Sequence, residues 1–109
     1  MENVDSRTRV FIYACKFKDV DYLKVGWSTD PIRRCCKLGE IERIAYSGFL
    51  GNRSNAMFLE AMFHRALAEF KVGDVVHGKS NDGRTEYFET KAIYKFMDLC
   101  KLLNMTVNV

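Results

Sequence analysis

The sequence predicts a small α/β protein of the mixed α+β type, in which a three-stranded antiparallel sheet is flanked by three helices. Two β-prone runs, residues 9–16 and 22–27, are separated only by a short polar turn, as in a hairpin. Asp30-Pro31 is a helix start, because an N-cap side chain precedes proline at the first helical position. Residues 55–70 carry apolar side chains at helical spacing.

The other elements follow from the same local signals. The helix that begins at Asp30 should end near Gly39, and residues 41–50 are predicted to form the third strand. A glycine-rich loop, residues 72–84, should follow the long helix. Residues 86–89 then form a short extended piece, and residues 90–103 form a last amphipathic helix.

Length and composition indicate one intracellular domain. The chain has 109 residues, of which 48% are hydrophobic, enough for one core, so residues 1–109 are expected to form a single domain with its core at about 9–103. No apolar run is long enough to span a bilayer, and the first residues lack a signal-peptide pattern. The four cysteines lack a disulfide framework spacing, so reduced thiols in the cytoplasm or nucleus are expected. A net charge of +3 is compatible with nucleic acid as a partner and does not require it.

Charged side chains near the helices suggest an anion-binding surface. Arg33 and Arg34 fall in the first turn of the first helix, where the helix dipole disfavours cations, so an external anion such as phosphate is expected to offset the cost. Glu60 and His64 are four residues apart on one flank of the long helix. The alternative is structural: solvated arginines, a salt bridge from Glu60 to Arg34 or Arg65, and a boundary histidine.

The order of these motifs resembles the GIY-YIG nuclease superfamily, in its compact single-domain branch of phages and large DNA viruses. Phe11-Ile12-Tyr13 stands where the family has its first tripeptide, and Lys24-Val25-Gly26 where it has the second. Lysine replaces the second tyrosine, as is common in the compact branch. Arg34 matches the arginine of the family's first helix, Glu60 with His64 resembles its helical signature, and residues 83–88 resemble its terminal acidic-aromatic element.

The resemblance implies a GIY-YIG-like fold and a metal-dependent endonuclease that hydrolyses phosphodiester bonds in DNA. In that mechanism Glu60 would hold Mg²⁺ or Mn²⁺, and Arg34 would bind the phosphate. Tyr13 would accept the proton of the attacking water, provided that Lys24 lowers its pKa. His64 would position a water molecule or contact a phosphate. These side chains should converge on one surface cleft.

Further residues are expected to bind the nucleic acid, which is DNA rather than RNA in this interpretation. The cations would contact phosphates, and the indole would stack on a base. This set consists of Arg33, Arg53, Arg65, Lys79 and Trp27. For the tryptophan, the alternative is that it covers an edge of the sheet.

A second class of function stays open at this stage. The chain could keep the fold and bind nucleic acid or protein without cleaving anything, and Lys24 in place of the second tyrosine is the feature that favours this alternative.

Overall fold

The computed structural model describes residues 9–72 and 87–109. In chain order, the elements are β1 (Arg9–Phe17), β2 (Tyr22–Ser28), α1 (Pro31–Leu38), β3 (Ile41–Leu50), α2 (Arg53–Ala66), a 3₁₀ turn (Ala68–Phe70), β4 (Tyr87–Glu89) and α3 (Ala92–Leu102). Apart from Val72, the predicted loop 72–84 lies outside the described residues, as does most of the predicted terminal element at 83–88.

The strands form one antiparallel sheet in the order β3-β1-β2-β4. The mixed α+β class, the antiparallel sheet and the three helices are therefore confirmed, whereas the prediction of three strands is wrong. The fourth strand has only three residues, and it exists because Phe88 inserts into the core opposite Leu23. Three residues are too few to show an alternation pattern, so tertiary pairing alone defines this strand.

The two faces of the sheet carry different cores. On one face, Ile12, Val25 and Ala45 are buried under α2 and α3, where the rings of Phe63 and Phe96 meet edge to face at 5.3 Å. Full burial of each such large apolar side chain stabilises the fold by roughly 1.5–3 kcal/mol. Both α2 and α3 pack on this larger core.

The opposite face carries a smaller cluster under α1. Its buried members are Tyr13, Cys15 and Phe17 from β1 and Cys35 from α1. Because side chains alternate along a strand, these β1 residues face away from the larger core. The helix α1 contributes only two buried residues, Pro31 and Cys35, so its attachment to the sheet is small.

The helix α2 begins earlier than the sequence predicts and ends earlier too. Asn52 and Asn55 form a reciprocal capping box, in which each amide oxygen accepts from the other's backbone N–H at 2.9 and 3.0 Å. The cap therefore lies at residue 52, and the helix ends at Ala66. The sequence predicts that the helix extends to Phe70, but Ala68–Phe70 form a separate 3₁₀ turn.

The chain end covers the outer edge of the sheet. Asn108 forms two backbone hydrogen bonds with Tyr46 of β3, at 2.9 and 2.8 Å, and the hydroxyl of Ser47 donates to the carbonyl of Thr106. These contacts protect part of an otherwise open strand edge. Among the described residues, no helix has the length and apolarity that crossing a bilayer requires.

Candidate functional site

The smaller cluster is centred on Tyr13, whose side chain crosses the neighbouring strand at Gly26. The two residues are partners in the β1–β2 register. A Cβ atom built on Gly26 would lie 2.7 Å from the Tyr13 hydroxyl oxygen and 2.9 Å from Cζ, closer than real Cβ atoms come to their neighbours. Glycine is therefore required at this position by the tyrosine that lies over it.

Arg34 reaches Tyr13 from the first turn of α1. The Asp30 carboxylate caps this helix by accepting from the backbone N–H of Arg33 at 3.2 Å, and the Ser28 hydroxyl accepts from the N–H of Asp30 at 2.9 Å. This start orients Arg34, which is exposed as a residue, so that it hydrogen-bonds to the Tyr13 hydroxyl. The structure thus brings together the tyrosine and the arginine that the sequence singles out.

His64 lies at the edge of β2, beyond the part of the strand that pairs with β4. β4 pairs only with the first three residues of β2. Beyond them, Nε2 of His64 donates to the carbonyl oxygen of Val25 at 2.9 Å, and the imidazole meets the Phe88 ring edge to face at 5.3 Å. Because a carbonyl oxygen only accepts, Nε2 carries the hydrogen. The histidine therefore continues the hydrogen bonding of the sheet edge.

Glu60 lies at the same edge, one helical turn before His64. Residues four apart on a helix differ by about 40° in direction, so the contact of His64 with Val25 places Glu60 beside it. The helix α2 packs on the larger core, on the face opposite Tyr13. The carboxylate of Glu60 is nonetheless close enough to Tyr13 to contribute to a rise in its pKa. At the edge of β2, the side chain of Glu60 from one face of the sheet therefore comes close to Tyr13 from the other face.

The surroundings of Tyr13 oppose the ionisation that the expected mechanism assigns to it. Burial is the largest cause of a raised pKa for this phenol, and the charge of Cys35 raises the pKa further, while Arg34 offsets only part of the rise. With 1% of its surface exposed, the tyrosine keeps its proton at neutral pH and does not lie in an open cleft.

Lys24 acts on two cysteines to which the sequence interpretation gave no role in the mechanism. It is the register partner of Cys15, and its ammonium group contributes to a lowered pKa of Cys35. One signal for this was present in the sequence: Cys15 lies two residues after Tyr13, on the same face of the strand. The position of Cys35 under α1 depended on the docking of that helix.

Trp27 and Arg33 are the two predicted nucleic-acid contacts near α1, and their side chains point in other directions than those of Tyr13 and Arg34. Trp27 is half-buried and is the register partner of Ile12, so it lies on the face that α2 and α3 cover. Arg33 is exposed and precedes Arg34 on the helix, about 100° away in direction.

The two predicted DNA-binding arginines on α2, Arg53 and Arg65, differ in their direction on the helix relative to Glu60. Arg53 is exposed and lies seven residues before Glu60, on nearly the same line of the helix. Arg65 is also exposed, and it points about 140° away from Glu60. Lys79 lies outside the described residues. Arg53 is therefore the one of the two α2 arginines that extends the stripe of Glu60 and His64.

Glu60 is the candidate ligand for a divalent cation. In the described parts of the chain, residues 9–72 and 87–109, no group of three or more His, Cys, Asp or Glu side chains is placed to hold a metal ion. Mg²⁺ commonly binds through one or two carboxylates and completes its shell with water and substrate phosphate. A half-buried single carboxylate at the edge of β2 fits that mode of binding, which needs no cage of protein ligands.

Comparison of the chain with protein-family models, with curated proteins and with solved structures finds no match. The resemblance to GIY-YIG nucleases therefore stays a prediction that rests on the motifs.

Proposed function

We propose that this chain is a metal-dependent endonuclease of the compact GIY-YIG type, which hydrolyses phosphodiester bonds in DNA. The observation that carries the proposal is the contact of Arg34 with Tyr13, beside the strand edge where Glu60 lies. A cation that binds phosphate and a carboxylate that binds metal are thereby held on one framework. Gly26 supports the same interpretation, because the second tripeptide keeps the residue on which the first tripeptide's tyrosine packs.

Arg34 is the group that meets the substrate. Its residue is exposed, and its guanidinium offers several N–H donors in a plane that matches a phosphate. The hydroxyl of Tyr13 hydrogen-bonds to this guanidinium and restricts its orientation. Tyr13 is therefore a positioning residue in this proposal, since its raised pKa and burial do not suit a resting phenolate base.

Glu60 would hold the Mg²⁺ or Mn²⁺ ion, with water and phosphate oxygens as further ligands. When bound, such an ion supplies Lewis-acid activation of water and neutralises charge on the phosphate. His64 fixes the α2 turn that carries Glu60 to the strand edge, through its bond to Val25. Arg53, on the line of Glu60, extends the contact surface along the DNA backbone.

The proposal is tested by nicking of supercoiled plasmid with Mg²⁺ or Mn²⁺, compared with EDTA. Glu60→Gln should lower the nicking rate roughly 100-fold or more, while DNA binding is unchanged or tighter, because one negative charge facing a polyanion is removed. Arg34→Ala should weaken both nicking and binding. Arg65→Ala is the matched control, an exposed arginine on the far side of α2, and should nick at close to the wild-type rate.

The outcome also separates the second candidate, a module that binds nucleic acid without cleaving it. Lys24 at the position of the second tyrosine favours that candidate, because it supplies no second phenol. Salt-sensitive DNA binding with no nicking in either metal would establish the module. Nicking that persists in Glu60→Gln with EDTA present would indicate a contaminating nuclease or another site, and would refute the mechanism.

A further inference from the structure

The smaller cluster contains a pair of cysteines that bridge β1 and α1. Cys15 and Cys35 are both 0% exposed and belong to the same buried cluster. The thiol of Cys15 donates a hydrogen bond to the sulfur of Cys35, and the Tyr13 hydroxyl hydrogen-bonds to that same sulfur. The two cysteines are thus neighbours in one buried cluster, across the joint between helix and sheet.

The surroundings make the two thiols unequal. The hydrogen bond from Cys15, followed by the charges of Lys24 and Arg34, lowers the pKa of Cys35 despite its burial. The same hydrogen bond, with burial, raises the pKa of Cys15. The other titratable side chains around the pair are Tyr13, Cys36 and, from β3, Tyr46. Cys35 is consequently the attacking sulfur, and Cys15 is the thiol that reacts second.

Access to this pair depends on how firmly α1 is attached. This helix has eight residues, and only Pro31 and Cys35 are buried. An element with so few buried contacts opens locally at a lower free-energy cost than the core does. Such opening exposes both sulfur atoms to a small oxidant.

We propose that Cys15 and Cys35 form an oxidisable dithiol, which a hydroperoxide converts reversibly into a disulfide that ties α1 to β1. This modification site goes beyond the proposed function, because it does not depend on whether the chain cleaves nucleic acid.

The reaction is balanced with hydrogen peroxide as the oxidant. The Cys35 sulfur attacks one peroxide oxygen, the O–O bond breaks, and hydroxide leaves while Cys35 becomes a sulfenic acid. The Cys15 sulfur then attacks the Cys35 sulfur, the S–O bond breaks, and the proton of Cys15 leaves with the hydroxide as water. Two thiols lose two electrons and peroxide is reduced to water. The disulfide brings the two sulfur atoms to a bond length of about 2.05 Å.

The disulfide would change the candidate site in two ways. The Cys35 sulfur would lose the charge that it presents to Tyr13, and the helix that carries Arg34 would be held against the sheet. The link also closes a loop in the unfolded chain, so the oxidised protein should have a higher Tm than the reduced protein.

The test treats the full chain with hydrogen peroxide, blocks remaining thiols and maps peptides by mass spectrometry. Trypsin releases Cys15 in residues 10–16 and both Cys35 and Cys36 in residues 35–37, so Cys36→Ser is needed to assign the link. We expect the linked pair of peptides in the wild type and in Cys36→Ser, reversed by dithiothreitol. Cys100, which burial keeps at a raised pKa of about 11, is the internal control and should react at least about tenfold more slowly.

Cys15→Ser removes the second thiol, so a dimedone adduct should accumulate on Cys35 with no linked peptides. If that variant does not fold, the mapping in Cys36→Ser decides alone. A link that disappears in Cys36→Ser, or peroxide treatment that leaves Cys15 and Cys35 unlinked in that variant, would overturn the proposal. None of these readouts uses nuclease activity, so they are independent of the test of the proposed function.

Discussion

Replacing Gly26 by alanine tests the packing that positions Tyr13. The new Cβ would lie 2.7 Å from the tyrosine hydroxyl oxygen, whereas ordinary contacts begin at 3.4 Å, so the ring must move by about 0.7 Å. Tyr13 is buried under α1 and cannot swing into solvent. Overpacking of this kind typically costs about 1–3 kcal/mol, which should appear as a lower free energy of unfolding in urea at an unchanged m-value.

A double-mutant cycle identifies the cause of that cost. Tyr13→Leu removes the hydroxyl and Cζ, the two atoms closest to the new methyl group. In the Tyr13→Leu background, Gly26→Ala should therefore cost less than half of what it costs in the wild type. Equal costs in both backgrounds, or a Gly26→Ala variant as stable as the wild type, would show that Tyr13 does not lie over Gly26 as described.

Three further predictions concern titration, the strand edge and salt. Because burial raises the pKa of Tyr13 above its ordinary value, the folded state keeps a proton that the unfolded chain loses above pH 10. The free energy of unfolding should then fall with rising pH, by up to about 1.4 kcal/mol per pH unit more in the wild type than in Tyr13→Phe, and urea titrations from pH 8 to 11 would measure this. His64→Ala removes the donor to the Val25 carbonyl and should cost about 1 kcal/mol in urea unfolding, and no loss would contradict that bond. In DNA-binding assays over a salt series, Arg53→Ala should reduce the slope of log K against log salt by about 0.9, while Arg65→Ala leaves it unchanged, and equal slopes would remove Arg53 from the interface.

Much of the fold could be predicted because its signals are local. Asp30 and Pro31 start a helix wherever the chain places them, and the polar turn between the first two strands brings them into a hairpin. The spacing of Glu60 and His64 on one helix flank is likewise a property of the helix itself. The short strand β4 was missed as a strand because its pairing partner, not its own pattern, defines it.

The sequence singled out Tyr13 and Arg34, which the structure brings together, but not the chemistry of their surroundings. The sequence by itself determined the hairpin of β1 and β2, since two adjacent strands joined by a short polar turn pair with each other, and the structure shows that Tyr13 and Gly26 are partners in it. The sequence did not determine which of the side chains around Tyr13 carry a charge. The effect of Lys24 on the pKa of Cys35 depends on distances of a few ångströms and on burial, which arise only when α1 docks on the sheet. Desolvation of a phenol is a property of the assembled core, so only the tertiary structure decided that Tyr13 stays protonated.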